Sequence, residues 1–213
     1  MKILGLYAGK PQPFGPRKAP SSIIKSAVPM LTVHKHGTLE DEQGNKKLHG
    51  GPEKVLHQYA MENYEVLKAH YPEGHFPPGS IGENLLVEGM HDGNVCIGDR
   101  YLFGEVILQV NAPRSPCNKI SHRYGIANLD RFVSQQQITG WYYRVEQEGK
   151  IHQHSSVSLL SRVDNATTIK EMIACLFVTK DKAMASSLAD HDGLDPEWRE
   201  KLLRLAHASR QSQ

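Results

Sequence analysis

The chain has 213 residues, a formal charge of +2, and 39% hydrophobic against 23% charged residues. That length suits one large domain, or one domain with a small appendage. The near-balanced charge supplies no strong field for nucleic acid or an anionic membrane, and the composition argues against global disorder. No apolar run approaches the roughly 18 residues of a membrane-spanning helix.

Residues 1–15 read as neither a secretory signal nor a transit peptide. Three cysteines, Cys96, Cys117 and Cys175, lie far apart with no CxxC pair. That argues against a disulfide framework or a structural zinc site, so a reducing cytoplasm is the expected location. Twelve histidines are many, but most stand singly.

The first three quarters read as short strands. β-rich runs cover Ile3–Tyr7, Ser22–Val28, Leu85–Val87, Tyr101–Phe103, Val106–Val110, Trp141–Val145 and Val157–Leu160. Glycine and proline clusters separate them, as in a closed or nearly closed barrel. One helix is expected to interrupt this region. It starts at Gly50-Gly51-Pro52-Glu53 and runs to about His70, with Val55, Leu56, Tyr59, Ala60 and Leu67 on its apolar face. Beyond Asp164 the period changes. Thr168-Ile169-Lys170-Glu171 is a capping box, followed by the stripe Ile169, Met172, Ile173, Leu176 and Phe177. A weaker segment covers Lys182–Ala189. A third helix begins at Asp195-Pro196 and carries Trp198, Leu202 and Leu205. The expected division is residues 1–163 and a three-helix unit, residues 164–213. Such a unit is too small to bury itself fully.

The chemistry centres on Pro113-Arg114-Ser115-Pro116-Cys117-Asn118-Lys119. Two prolines stiffen the backbone after a strand, and Arg114 and Lys119 favour a thiolate at Cys117. A thiolate is a nucleophile and a soft metal ligand, whereas a lone thiol is more often buried and inert. His49-Gly50-Gly51 would offer free backbone N–H groups to an anion, or would form an ordinary glycine turn. Glu83-Asn84 and Asp99 open strands, where acids more often make caps. His34/His36 and His152/His154 read as solvated strand faces. Walker, dinucleotide-fingerprint, GxSxG and HExxH motifs are absent.

Taken together, Ser21-Ser22-Ile23 with Lys25, Asp41-Glu42-Gln43, His49-Gly50-Gly51-Pro52, Gly82-Glu83-Asn84-Leu85, Gly98-Asp99 and Pro113–Cys117 resemble the MOSC family, and within it the YiiM-type members. The C-terminal helices resemble the extension of those members. One departure is Glu40, where the family commonly has a glycine before the aspartate. If that glycine serves a positive-φ turn, the loop must differ here.

The resemblance implies a mainly β fold, a MOSC-type β-barrel with a few helices plus the small C-terminal three-helix unit. It implies binding of the molybdenum cofactor, with Cys117 as metal ligand and catalytic residue. The implied cofactor-binding residues are Lys25, His49, Gly50, Gly51, Asn84, Asp99, Arg114 and Asn118. It implies reduction of N-hydroxylated compounds such as hydroxylaminopurine-type bases, with electrons from a separate reductase. The other readings are a cofactor or sulfur carrier, and a cysteine hydrolase using Cys117 with His49 as base.

Overall fold

The computed structural model describes residues 1–44 and 51–208. Thirteen short strands occur among them. They are β1 (Ile3–Ala8), β2 (Gln12–Phe14), β3 (Ala19–Ser21), β4 (Ser26–Ala27), β5 (Met30–His34), β6 (Gly37–Thr38), β7 (Leu56–Gln58), β8 (Leu85–Val87), β9 (Arg100–Phe103), β10 (Val106–Pro113), β11 (Trp141–Gln147), β12 (Gly149–His152) and β13 (Val157–Ser161). The helices are α1 (Met61–His70), α2 (Asn118–Tyr124), α3 (Leu129–Gln135), α4 (Ile169–Ala174), α5 (Lys182–Ala189) and α6 (Pro196–His207). Helix α4 runs on into a π-helical turn, Cys175–Thr179.

Eight strands form a mixed sheet in the order β13-β9-β10-β11-β7-β8-β1-β4. Its pairings are antiparallel except β7 with β8. An isolated bridge joins Lys2 to Ser156, and Met1 and Val157 exchange two backbone hydrogen bonds of 2.8 and 3.2 Å. The residues before β1 thereby meet the start of β13 at the far side of the sheet.

Alternation decides what each strand buries. On β11, Trp141, Tyr143 and Val145 enter the main core, and Tyr142, Arg144 and Glu146 take the other face. The same core holds Leu108 and Val110 of β10, Ile169, Met172 and Ile173 of α4, and Trp198 and Leu202 of α6. A second apolar cluster lies under α1, α2 and α3, with Tyr64, Leu67, Phe76, Ile120, Leu129 and Val133.

The three C-terminal helix starts are built from their own caps. Thr168 accepts from the Glu171 N–H and Glu171 accepts from the Thr168 N–H, at 3.1 and 2.9 Å. Asp181 caps α5, and Asp195 accepts from the Trp198 N–H at 3.0 Å with proline next in line. The expected helix from Pro52 is not found. Residues 51–54 turn, and Leu56–Gln58 are a fully buried strand pinned between β11 and β8. Pairing within the sheet overrides the helical spacing there, and α1 begins only at Met61. The expected strand Ser22–Val28 is also broken, with only Ser26–Ala27 extended and paired.

Glu40 is explained locally. It is not among the described residues with positive φ, and its carboxylate accepts from the Thr32 N–H and hydroxyl at 2.7 and 2.9 Å. A side-chain anchor on β5 organises the loop, and no left-handed residue is needed at that point.

Candidate functional site

Strand ends and loops build one cleft. Its lining draws on five stretches of loop and strand end, the start of α2 and one residue of β11. Ser21 ends β3, Ser22, Ile23 and Lys25 come from between β3 and β4, and Asp41, Gln43 and Gly44 follow β6. Lys54 and Val55 lead into β7, His57 sits within it, and Ile81, Gly82 and Asn84 lead into β8. Arg114, Ser115 and Cys117 lie between β10 and α2, Lys119 lies in the first turn of α2, and Tyr142 projects from β11.

Cys117 is the N-cap residue of α2, half-buried and extended, whereas Cys96 and Cys175 are buried. The rigid stretch after β10 thus ends in a thiol at a helix start. Pro113 still stands in register with Trp141, so pairing continues one residue further than its missing N–H suggests.

Four cationic side chains, Lys25, Lys54, Arg114 and Lys119, line the cleft against one carboxylate, Asp41, among the described residues. Lys25 is buried and ion-paired with Asp41, which also accepts from the Gly9 N–H at 2.7 Å. Burial pushes the Lys25 ammonium below its usual range, and Asp41 partly offsets this. Lys54 pairs with Glu197 at 2.5 Å, and Lys119 donates to the Pro20 carbonyl at 3.4 Å. Arg114 differs. It is 7% exposed, and a buried guanidinium nitrogen has no hydrogen-bond partner among the described residues.

His57 is buried in the same wall, with its ring 5.4 Å from that of Tyr142. Burial, then the positive charge of Arg114, hold its pKa well below the ordinary value, so it is neutral at pH 7. Tyr142 is driven up by burial and stays protonated. Asn84 works mainly as a brace. Its side chain accepts from the His57 N–H and donates to the Tyr7 carbonyl, both at 3.1 Å, tying β7 to β1. Glu83 beside it accepts from Tyr64 and from the Gly79 and Ile81 N–H groups, at 2.6 and 3.1 Å for the latter two, and shapes the approach to the cleft. Gly82, with φ +90°, makes the turn between them.

The residues singled out in the sequence therefore separate. Lys25, Asn84, Arg114 and Cys117 converge on the cleft. Asn118 is exposed at the start of α2, and Gly51 is exposed, both outside the lining. Asp99 also lies outside it. Its carboxylate takes two hydrogen bonds from Arg162, at 2.7 and 2.6 Å, and others from Tyr101 and the Cys96 N–H. That is a structural network at the start of β9, and it leaves no free edge for a ligand. His49 and Gly50 fall outside the described residues. Lys54 and Tyr142 were missed. Only the alternation of Trp141-Tyr142-Tyr143 hints that Tyr142 faces away from the core.

A thiol and a buried guanidinium with one nitrogen unsatisfied among the described residues share a cleft, and this coincides with a match to the MOSC domain over residues 45–158. The chain belongs to the MOSC domain family. The resemblance read from the sequence is thus borne out. Among MOSC relatives, protein YiiM of Escherichia coli K12 is 33% identical over 196 residues, covering 91% of this chain and 87% of its own length. The crystal structure of YiiM from Geobacillus stearothermophilus shares the fold at a TM-score of 0.81 and 26% identity, over 96% of this chain and 98% of that one. A Gibberella moniliformis protein named reductase is 37% identical over 129 residues, 59% of this chain but 23% of its own length.

Proposed function

We propose that this MOSC protein binds the molybdenum cofactor in the cleft and reduces N-hydroxylated compounds, including hydroxylaminopurine-type bases. The observation that carries the reading is Arg114, a buried cation with an unsatisfied nitrogen in the wall that also holds Cys117. A buried guanidinium nitrogen left unsatisfied is costly, and an anionic ligand would offset that cost.

The residues fit such a group. Cys117 offers one soft sulfur ligand at the cleft surface. Among the described residues no three His, Cys, Asp or Glu side chains gather as a metal site, so a metal held by Cys117 would bring its other ligands with it. Arg114, Lys54 and Lys119 supply positive charge for a phosphate and for the negative sulfurs of a pterin dithiolene. When bound, the cofactor supplies the redox centre at which an N–O bond takes up two electrons and two protons, giving an amine and water. The protein's share is to hold the anion, to fix the thiol loop with prolines, and to keep the His57 imidazole and the Tyr142 hydroxyl uncharged beside it. The barrel belongs to this reading, and the Lys2–Ser156 bridge supports it. So do a cytoplasmic location and a separate electron-donating reductase, because the sequence carries no flavin or iron–sulfur motif.

The test is turnover of a hydroxylamine by cofactor-loaded protein with a reduced viologen as artificial donor, alongside metal analysis. Cys117→Ser should drop turnover to background with little change in folding, because serine keeps the size but replaces a soft ligand with a hard hydroxyl. Cys96→Ser and Cys175→Ser should act only through packing. Full turnover by Cys117→Ser with metal bound would refute the ligand assignment. Metal binding without turnover would mark a carrier.

A further inference from the structure

Helix α6 lies outside the matched MOSC region, yet it reaches the cleft. Trp198, buried in the main core, anchors its first turn. The Lys201 ammonium stands 4.9 Å over the Trp198 ring and donates to Ser115 Oγ at 3.1 Å. Ser115 is two residues from Cys117 and lines the cleft. Glu197, one turn back, accepts from Lys201 at 2.7 Å and from Lys54 at 2.5 Å. One carboxylate therefore links two ammoniums, of which one is a cleft cation and the other holds the thiol loop.

The entry to α6 is docked on the same wall. The Asp195 N–H donates to the Asn111 carbonyl at 2.9 Å, and Arg144 donates to the Gly193 carbonyl at 2.7 Å. Asn111 Nδ2 and Arg144 both reach Glu53 Oε2, at 2.7 and 2.6 Å, beside Lys54. These contacts fix the helix against β10, β11 and the segment before β7, so its side chains cannot drift from the rim.

We infer that Glu197 and Lys201 of α6 are positioning residues of the cleft. Lys201 holds the Ser115 end of the thiol loop, and Glu197 anchors Lys201 and Lys54 at the rim. The C-terminal helix then sets how readily Cys117 meets an incoming group. This rests on geometry alone and stands whether or not the cleft takes a pterin.

The test reads Cys117 in full-length, cofactor-free protein, as the rate of alkylation by iodoacetamide resolved by peptide mass spectrometry. Lys201→Met, Ser115→Ala and Glu197→Gln should each raise that rate by about threefold, the size set by one half-exposed charged contact. Lys201→Met with Ser115→Ala should be no faster than either alone, because the two remove one interaction. Lys201→Arg should restore the parent rate. Alkylation of buried Cys96 and Cys175 should stay slow throughout. An unchanged Cys117 rate in any single variant, multiplying effects in the double, or parallel acceleration at Cys96 and Cys175 would overturn the assignment.

Discussion

Arg114 donates its backbone N–H to the Gly140 carbonyl at 2.9 Å, yet its buried guanidinium keeps an unsatisfied nitrogen. Removing such a charge relieves a desolvation penalty, so Arg114→Met should stabilise the ligand-free protein by about 1–3 kcal/mol. The same change should weaken retention of an anionic ligand by roughly 10- to 100-fold, the range of one hydrogen bond to a charged group. Thermal melts and phosphate or cofactor binding would read the two effects separately. Loss of stability with unchanged binding would make Arg114 a packing residue. His57 gives a pH signature. Above its ordinary value of 6.5 the ring is neutral in both folded and unfolded chains. Below it the unfolded chain takes up a proton, and the folded chain, with its pKa depressed, does not. Stability should therefore fall as the pH drops from about 6.5, at up to about 1.4 kcal/mol per unit. His57→Gln should flatten that limb in denaturant titrations between pH 6.5 and 5. Arg114 and Lys25, whose charges oppose protonation of the ring, and the buried acids Glu83 and Asp92 stay in both proteins and cancel in the comparison.

At the scale of elements, local chemistry marked some boundaries and left others silent. The capping box before α4 and the Asp195-Pro196 start of α6 were legible because their hydrogen bonds close within four residues. Thr168→Ala should accordingly cost about 1 kcal/mol in chemical denaturation, and Thr168→Ser should cost little. Strand β7 was illegible. Leu56-His57-Gln58 is too short to show a period, and its partners are Trp141–Tyr143 and Leu85, far along the chain. Helix α1 begins after Ala60 with no side-chain cap, so nothing local announces Met61 as its start. The site divides the same way. Cys117, Arg114, Lys25 and Asn84 sit in motifs that can be read from the sequence. Lys54 and Tyr142 reach the cleft only through the sheet. Asp99 looked like a cofactor contact because an acid after glycine at a strand start serves either purpose. Arg162, 63 positions later, decides which.

For the whole molecule, we propose that residues 1–163 form the MOSC unit and residues 164–213 a three-helix unit, and that the two share one core. Ile169, Met172, Ile173, Trp198 and Leu202 are essentially fully buried in the cluster that holds the β10 and β11 side chains. Ending the chain at Asp164 should uncover that wall, and the fragment should bind a hydrophobic dye and precipitate more readily. A soluble, equally stable fragment would make the helices an independent appendage. The junction of Met1 with Val157 has a different kind of consequence. These residues are 156 positions apart, and β1 must also find β8 across the intervening loops. High contact order of this sort slows folding, because loop-closure entropy is spent before the contacts form. During synthesis the first strand can therefore meet β4 early, but β8 and β13 emerge much later. Until β13 has followed, the sheet that buries Ile3 and Leu6 of β1 stays incomplete.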